Sequence, residues 1–280
     1  MIIDAPAKLN LSLRILGKRA DGFHELESVM VRLPGLADRL EIEVADEDHF
    51  TCNQPGVPLD GSNLVLKAVA AIREVTGNRV PLRIHLEKRV PHGAGLGGGS
   101  SDAASTLLAL DQMLGSGLGM DGLMELGGKL GSDIPFFMGP AVARVRGRGE
   151  IIESGPTLPS LPVLLFKPGF GVATPDAYRR WADSEEIPGV GYAAQAFSWG
   201  ELLNDLERPV FSKHRFLAEL KEWLRAQPGV AGALMSGSGS TVFAVLEDAG
   251  AAAEIVAGAH RALDPTLWAW SGWTAAGEGS

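Results

Sequence analysis

Residues 91–102 read Pro-His-Gly-Ala-Gly-Leu-Gly-Gly-Gly-Ser-Ser-Asp, and this run limits the fold more than any other stretch of the chain. Its five glycines lie between an alternating apolar segment and a segment of helical periodicity. Glycine lacks the Cβ that keeps a ligand off the backbone, and it opens positive φ, so successive N–H groups can converge on one anion. Ser100, Ser101 and Asp102 are helix-starting residue types, which puts the next helix start near Ser100. A glycine loop running into a helix N-terminus directs free N–H groups and the positive end of the helix dipole at one point, the arrangement that binds phosphate.

A chain of 280 residues has room for two domains of ordinary size. The 34 acidic and 25 basic side chains leave a formal charge of −9, which argues against general nucleic-acid binding without excluding a local positive site for a nucleotide. Cys52 is the only cysteine, so neither an intrachain disulfide nor a multi-cysteine zinc site can form. The six histidines lack ligand-like spacing, and no metal ligands are assigned. There is no charged-then-apolar N-terminal signal and no apolar run of bilayer length. The expectation is a soluble cytoplasmic protein without nucleic-acid or membrane partners.

Residues 7–15 alternate with period two: Leu9, Leu11, Leu13 and Ile15 face one way, while Lys8, Asn10, Ser12 and Arg14 face the other. The pattern predicts a half-buried strand, and by itself it reads the polar side as solvated. A turn is expected at 17–22, then strands at 23–33 and 40–44 separated by a break at Pro34-Gly35, with antiparallel connections. Residues 63–75 read as a helix and 82–86 as a strand leading to the glycine loop. Behind the loop come a helix ending at Gly115 and a short helix carrying Leu123, Leu126 and Leu130. A hairpin at 141–153 closes this half, and the proline-rich stretch 154–162 divides the chain into residues 1–154 and 155–280. The second half carries strands at 163–166, 233–235, 241–246 and 268–273, with helices at 176–183, 216–226 and 249–263.

Gly93-Ala-Gly95-Leu-Gly97-Gly98 satisfies the G-x-G-x-x-G pattern of dinucleotide folds, but the context does not fit. The loop follows several antiparallel strands, Pro91 interrupts the strand before it, and no acidic residue ends a following strand to hold a ribose. A Walker A loop is also missing, because no Lys-Ser/Thr follows the last glycine. As written, the loop resembles the ATP loop of the galactokinase, homoserine kinase, mevalonate kinase and phosphomevalonate kinase (GHMP) superfamily. Four further motifs are similar, in order, to one branch of it: Ala5-Pro-Ala-Lys-Leu-Asn-Leu-Ser-Leu13, Asp21-Gly-Phe-His-Glu-Leu-Glu-Ser28, Gly131-Ser-Asp-Ile-Pro-Phe-Phe137 and Met235-Ser-Gly-Ser-Gly-Ser240. That branch phosphorylates the 2-hydroxyl of a cytidine diphosphate-linked methylerythritol in non-mevalonate isoprenoid precursor biosynthesis. Other GHMP small-molecule kinases, of mevalonate or homoserine type, are the alternative.

The resemblance implies an α+β protein with two domains: an N-terminal ATP-binding domain like ribosomal protein S5 domain 2, and a ferredoxin-like C-terminal domain. It implies ATP and Mg²⁺ as cofactors and a small molecule as partner. The catalytic residues it points to are Lys8 and Asp133, the latter as general base. The ATP phosphates fall to Pro91, Gly93, Ala94, Gly95, Leu96, Gly97, Gly98 and Gly99, with the hydroxyls of Ser100 and Ser101. Adenine and ribose fall to Asn63, Leu64 and Lys88. The cytosine end falls to Asn10 and His24, with Phe23 and Tyr178 as stacking rings and Thr174 nearby. Many members carry Tyr where this chain has Phe23, so stacking is kept there and a ring hydroxyl is lost. Gly237, Ser238 and Gly239 form a second glycine loop that closes the site from the C-terminal half.

Overall fold

The computed structural model describes residues 1–277. Strand β1 (Ile2–Lys18) pairs antiparallel with β2 (His24–Val44) in a long hairpin. The expected break at Pro34-Gly35 does not end the second strand. Pairing jumps from Ala7–Leu33 to Pro6–Ala37, so residues 34–36 bulge out and the strand continues. Next come β3 (His49–Cys52), α1 (Leu64–Thr76) and β4 (Leu82–Glu87), then α2 (Gly98–Leu114) and α3 (Gly119–Leu130). A 3₁₀ turn at Pro135–Met138 leads to the hairpin of β5 (Val142–Gly147) and β6 (Ile151–Ser154). The outer edge of β2 is long enough to be paired twice: residues 39–44 bind β4 and residues 26–31 bind β5.

The second half opens with β7 (Pro162–Lys167), α4 (Thr174–Arg180), β8 (Gln195–Phe197) and β9 (Gly200–Asn204). There follow α5 (Glu207–Lys213), α6 (Arg215–Arg225), β10 (Val230–Met235), β11 (Val242–Leu246), α7 (Ala252–Ala262) and β12 (Trp268–Trp273). Strands β10-β11-β7-β12 form an antiparallel sheet in the ferredoxin-like order. Strand β9 instead joins the first sheet, parallel to β1 through Ser12–Leu203 and Leu13–Asn204. The short elements β3, β8, β9 and α5 escape the sequence reading because three to seven residues carry too little periodicity.

The molecule is layered. Helices α1, α2 and α3 cover one face of the first sheet, with Leu40, Ile84, Leu107 and Phe136 in a single apolar cluster. Leu9 and Leu11 of β1 meet Leu165 of β7 and Phe243 of β11 in a second cluster, between the sheets. Helices α5, α6 and α7 cover the far side of the second sheet, around Phe166, Phe211 and Leu220. Both faces of β1 are therefore occupied, one by apolar packing and one by the site described next. Among the described residues, no helix is long and apolar enough to cross a membrane. Leu110, on the buried face of α2, is fully buried, so Leu110→Ala is expected to cost about 2–5 kcal/mol, read by denaturant unfolding.

Candidate functional site

The sequence places glycine where two backbones touch. Gly93, Gly95 and Gly97 all have φ between 64° and 75°, which bends the loop back on itself at alternate residues. A Cβ on Gly95 would lie 2.2 Å from the Ser236 carbonyl oxygen, and one on Gly97 would lie 2.9 Å from Cγ of Lys8. Hydrogen bonds seal both approaches. The amide of Lys8 donates to the Leu96 carbonyl at 2.9 Å, that of Thr241 to the Ala94 carbonyl at 3.1 Å, and the Ser236 hydroxyl to the Gly95 carbonyl at 3.1 Å. The loop is thus clasped between β1 and the 236–240 turn. Helix α2 begins at Gly98, earlier than expected; Gly97 caps it without a side-chain bond, which leaves the first-turn N–H groups free for a ligand.

Beneath the loop sits a buried ion cluster. Lys88 Nζ pairs with Asp38 and, at 2.8 Å, with Asp102 near the start of α2. The other oxygen of Asp38 accepts from the amides of Arg89 and Val90, just ahead of the loop. Three segments that must meet at the loop are therefore tied to one point: β2, the end of β4 and the start of α2. Lys88 lines the cavity, but its ammonium is committed to these carboxylates.

Across residues 7–15 the polar side of β1 is solvated only at Arg14; around Lys8 and Asn10 it is interior. Lys8 is 3% and Asn10 4% exposed, and both line a cavity of about 980 Å³, at the upper end for ligand pockets. Lys8 Nζ donates to Asn10 Oδ1 at 2.5 Å and stands 3.5 Å from Asp133 Oδ2. Asp133 lies between α3 and the 3₁₀ turn, with Gly149 against its carboxylate. Arg32 of β2 steadies that turn by donating to the carbonyls of Phe136 and Gly139. From the other side, Asn204 of β9 donates to the carbonyls of Met235 and Gly237, each at 2.7 Å, and holds the second glycine loop over Lys8.

The far end of the cavity is aromatic. The His24 ring lies 5.4 Å from that of Tyr178 and edge-on to Trp181, while Arg148 covers the half-exposed Phe23 ring at 4.8 Å. Burial, then the nearby Lys18, lowers the pKa of His24 and favours the neutral imidazole. Burial, helped by Asp133, raises the Tyr178 phenol and keeps its proton on. The Ser238 and Thr174 hydroxyls bond each other at 2.7 Å along the wall. Asn10 is not with this group. Its β2 partner is Met30, six residues beyond His24 on the same strand, which is about 20 Å of strand.

Three of the expected site residues lie outside the cavity lining. Asn63 does not line the cavity: its amide caps α1 through Val65 and holds the Pro58 carbonyl, so both of its polar atoms are used. Ser101 is completely buried inside the first turn of α2, and only Ser100 faces the cavity. Gly239 lies behind the lining, its amide closing the turn onto the Ser236 carbonyl. Several lining residues were missed. Arg148 had a readable signal, the Arg-Gly-Arg-Gly hairpin tip at 146–149. Ser28 and Trp181 had none, because nothing local distinguishes a wall residue on a strand or helix.

Comparison with known proteins agrees with this geometry. Residues 63–139 match the GHMP kinases N terminal domain, and residues 193–264 match GHMP kinases C terminal. A 4-diphosphocytidyl-2-C-methyl-D-erythritol kinase of Methylacidiphilum infernorum is 41% identical over 94% of this chain and 93% of its own. A crystal structure of a 4-(cytidine 5'-diphospho)-2C-methyl-D-erythritol kinase superposes with a TM-score of 0.78 at 36% identity, covering all of both chains. A homoserine kinase from Cytophaga hutchinsonii reaches a TM-score of 0.71 over 100% of this chain and 95% of its own, but at 17% identity it shares the fold alone.

The ion cluster under the loop has a signature in pH. Burial pushes the Asp102 carboxyl up from 3.8 to about 7, against the pull of Lys88 and with a further push from Asp38. Between those values the folded chain holds a proton that the unfolded chain releases, so stability falls as pH rises, by roughly 1.4 kcal/mol per unit at most, and levels off above about 7. Asp102→Asn removes this slope. Denaturant unfolding is expected to show the wild type losing ground to the variant from pH 5 to 7; a constant difference across that range contradicts the assignment.

Proposed function

The chain belongs to the 4-diphosphocytidyl-2-C-methyl-D-erythritol kinase family of GHMP kinases, and from that premise we propose that it transfers the γ-phosphoryl group of ATP to the 2-hydroxyl of 4-diphosphocytidyl-2-C-methyl-D-erythritol. The observation that carries this reading is the buried Lys8 ammonium, 3.5 Å from the Asp133 carboxylate and beside a glycine loop, inside a cavity whose other end is aromatic. An ammonium this buried, with one close amide acceptor and one distant carboxylate, is under-paired and suits an incoming phosphate oxygen.

Phosphoryl transfer depends mainly on positioning and charge stabilisation. The glycine loop and the free N–H groups of α2 bind and orient the ATP phosphates, and Leu64 contributes to the adenine slot. Asp133 accepts the proton of the attacking hydroxyl. Lys8 offsets charge on the transferred group. A neutral His24 pairs with the donor–acceptor edge of cytosine, and Phe23 and Tyr178 supply ring faces.

Mg²⁺ in a kinase keeps several waters and takes one or two carboxylates plus phosphates. Among the described residues no cluster of three His, Cys, Asp or Glu forms an all-protein site, and the partly exposed Asp133 carboxylate with the Ser100 hydroxyl fits that sparser donor set. The ion supplies charge neutralisation on the phosphates when bound. With ATP as donor, the reaction belongs in the cytoplasm.

A coupled ADP-release assay with 4-diphosphocytidyl-2-C-methyl-D-erythritol, ATP and Mg²⁺ is the test; ADP at background contradicts the proposal. Asp133→Asn and Lys8→Ala are each expected to lower kcat by at least about 100-fold while an ATP analogue still binds. Competition by CDP separates this reading from a mevalonate or homoserine kinase, for which CDP is inert.

A further inference from the structure

We infer that Ser28 is a positioning residue: its hydroxyl fixes the orientation of the Asn10 amide and, through it, the position of the Lys8 ammonium. The inference rests on the kinase reading above for its consequence but not for its geometry. Ser28 lies on β2, is 1% exposed, and its Oγ accepts from Asn10 Nδ2 at 2.8 Å. Its own proton goes to the Ser12 carbonyl at 2.5 Å. A hydroxyl has one proton, so with that proton spent on a fixed backbone oxygen, the side facing Asn10 can only accept. The amide must then turn its NH₂ to Ser28 and its Oδ1 to Lys8.

The direction matters because Lys8 can only donate. Its ammonium has Asn10 Oδ1 at 2.5 Å, while Asp133 Oδ2 is a full ångström further away. The amide, not the carboxylate, therefore sets where Nζ sits. An Asn amide rotated by half a turn keeps its shape but presents NH₂ to NH₃⁺, replacing a hydrogen bond with a repulsion. At 4% exposure for Asn10 the pair cannot readily exchange its partner for bulk water. The Ser28 hydroxyl removes the wrong orientation at its source. The sequence hid this chain of contacts, because Ser28 sits across the hairpin from Asn10, 18 positions away.

The test is a kinetic cycle. Ser28→Ala is expected to lower kcat on the order of 10- to 100-fold, a range set by the penalty for misplacing a reacting group by about 1 Å. KM for ATP and thermal unfolding should change little. Asn10→Asp supplies two equivalent oxygens, either of which accepts from Lys8, so orientation no longer matters. Adding Ser28→Ala to Asn10→Asp should then lower kcat by no more than about 2-fold beyond Asn10→Asp alone. An equal loss in both backgrounds, or less than about 3-fold in the wild type, overturns the inference. Crystal structures of the wild type and Ser28→Ala read the relay without turnover: Lys8 Nζ is expected to leave its position beside Asn10 Oδ1, and an unmoved ammonium overturns the inference. A wild type that does not turn over would defeat the kinase reading, while this structural comparison would still decide the relay.

Discussion

A lysine ammonium that is 3% exposed sets the terms for the elements around it. Burying a charge is costly unless partners surround it, and here those partners come from separate parts of the chain. Asn10 comes from the same strand, Asp133 from the turn after α3, and the Ser236–Ser240 turn closes over the top. The last of these is in place only when both sheets are assembled.

The glycine loop is the second partner in that assembly. It can approach Lys8 and the Ser236 carbonyl so closely because no Cβ intervenes, and it stays there because the buried Lys88 cluster anchors both of its ends. The C-terminal half does more than cover the site. Strand β9 joins the first sheet beside β1, and Asn204 at its end carries the second glycine loop. Buried Glu207 accepts the Met235 amide at 2.9 Å and is itself paired with Lys221, so the loop has a rigid base on that side as well. Positioning of this kind is what phosphoryl transfer asks of a protein.

Much of this was legible in the sequence wherever local pattern and chemistry coincide. The alternation of β1, the glycine run and the Gly-Ser-Asp-Ile-Pro turn announced themselves, and the elements they predict are present. What stayed hidden depends on tertiary context. Lys8 and Asn10 alternate as a solvated strand would, and only the packing of α2 and the 236–240 turn makes their side an interior. Ser101 and Asn63 have the residue types of phosphate and base ligands, yet one is buried inside a helix turn and the other is spent on a cap. Pro34-Gly35 reads as a strand end and is a bulge, because pairing on both sides of it is strong enough to carry the strand through. Asn10 and His24, grouped by resemblance, are separated by about 20 Å of strand.

The central claim is that one cavity holds a triphosphate at the glycine loop and a cytidine at the aromatic end, with Lys8 and Asp133 between them. The most direct measurement is a crystal structure with a non-hydrolysable ATP analogue and CDP bound together. The account predicts the analogue's phosphates against residues 93–99 and the start of α2, the cytosine ring beside His24, Phe23 and Tyr178, and the γ-phosphate next to Lys8. Cytosine seated elsewhere, or a γ-phosphate directed away from Lys8 and Asp133, contradicts it.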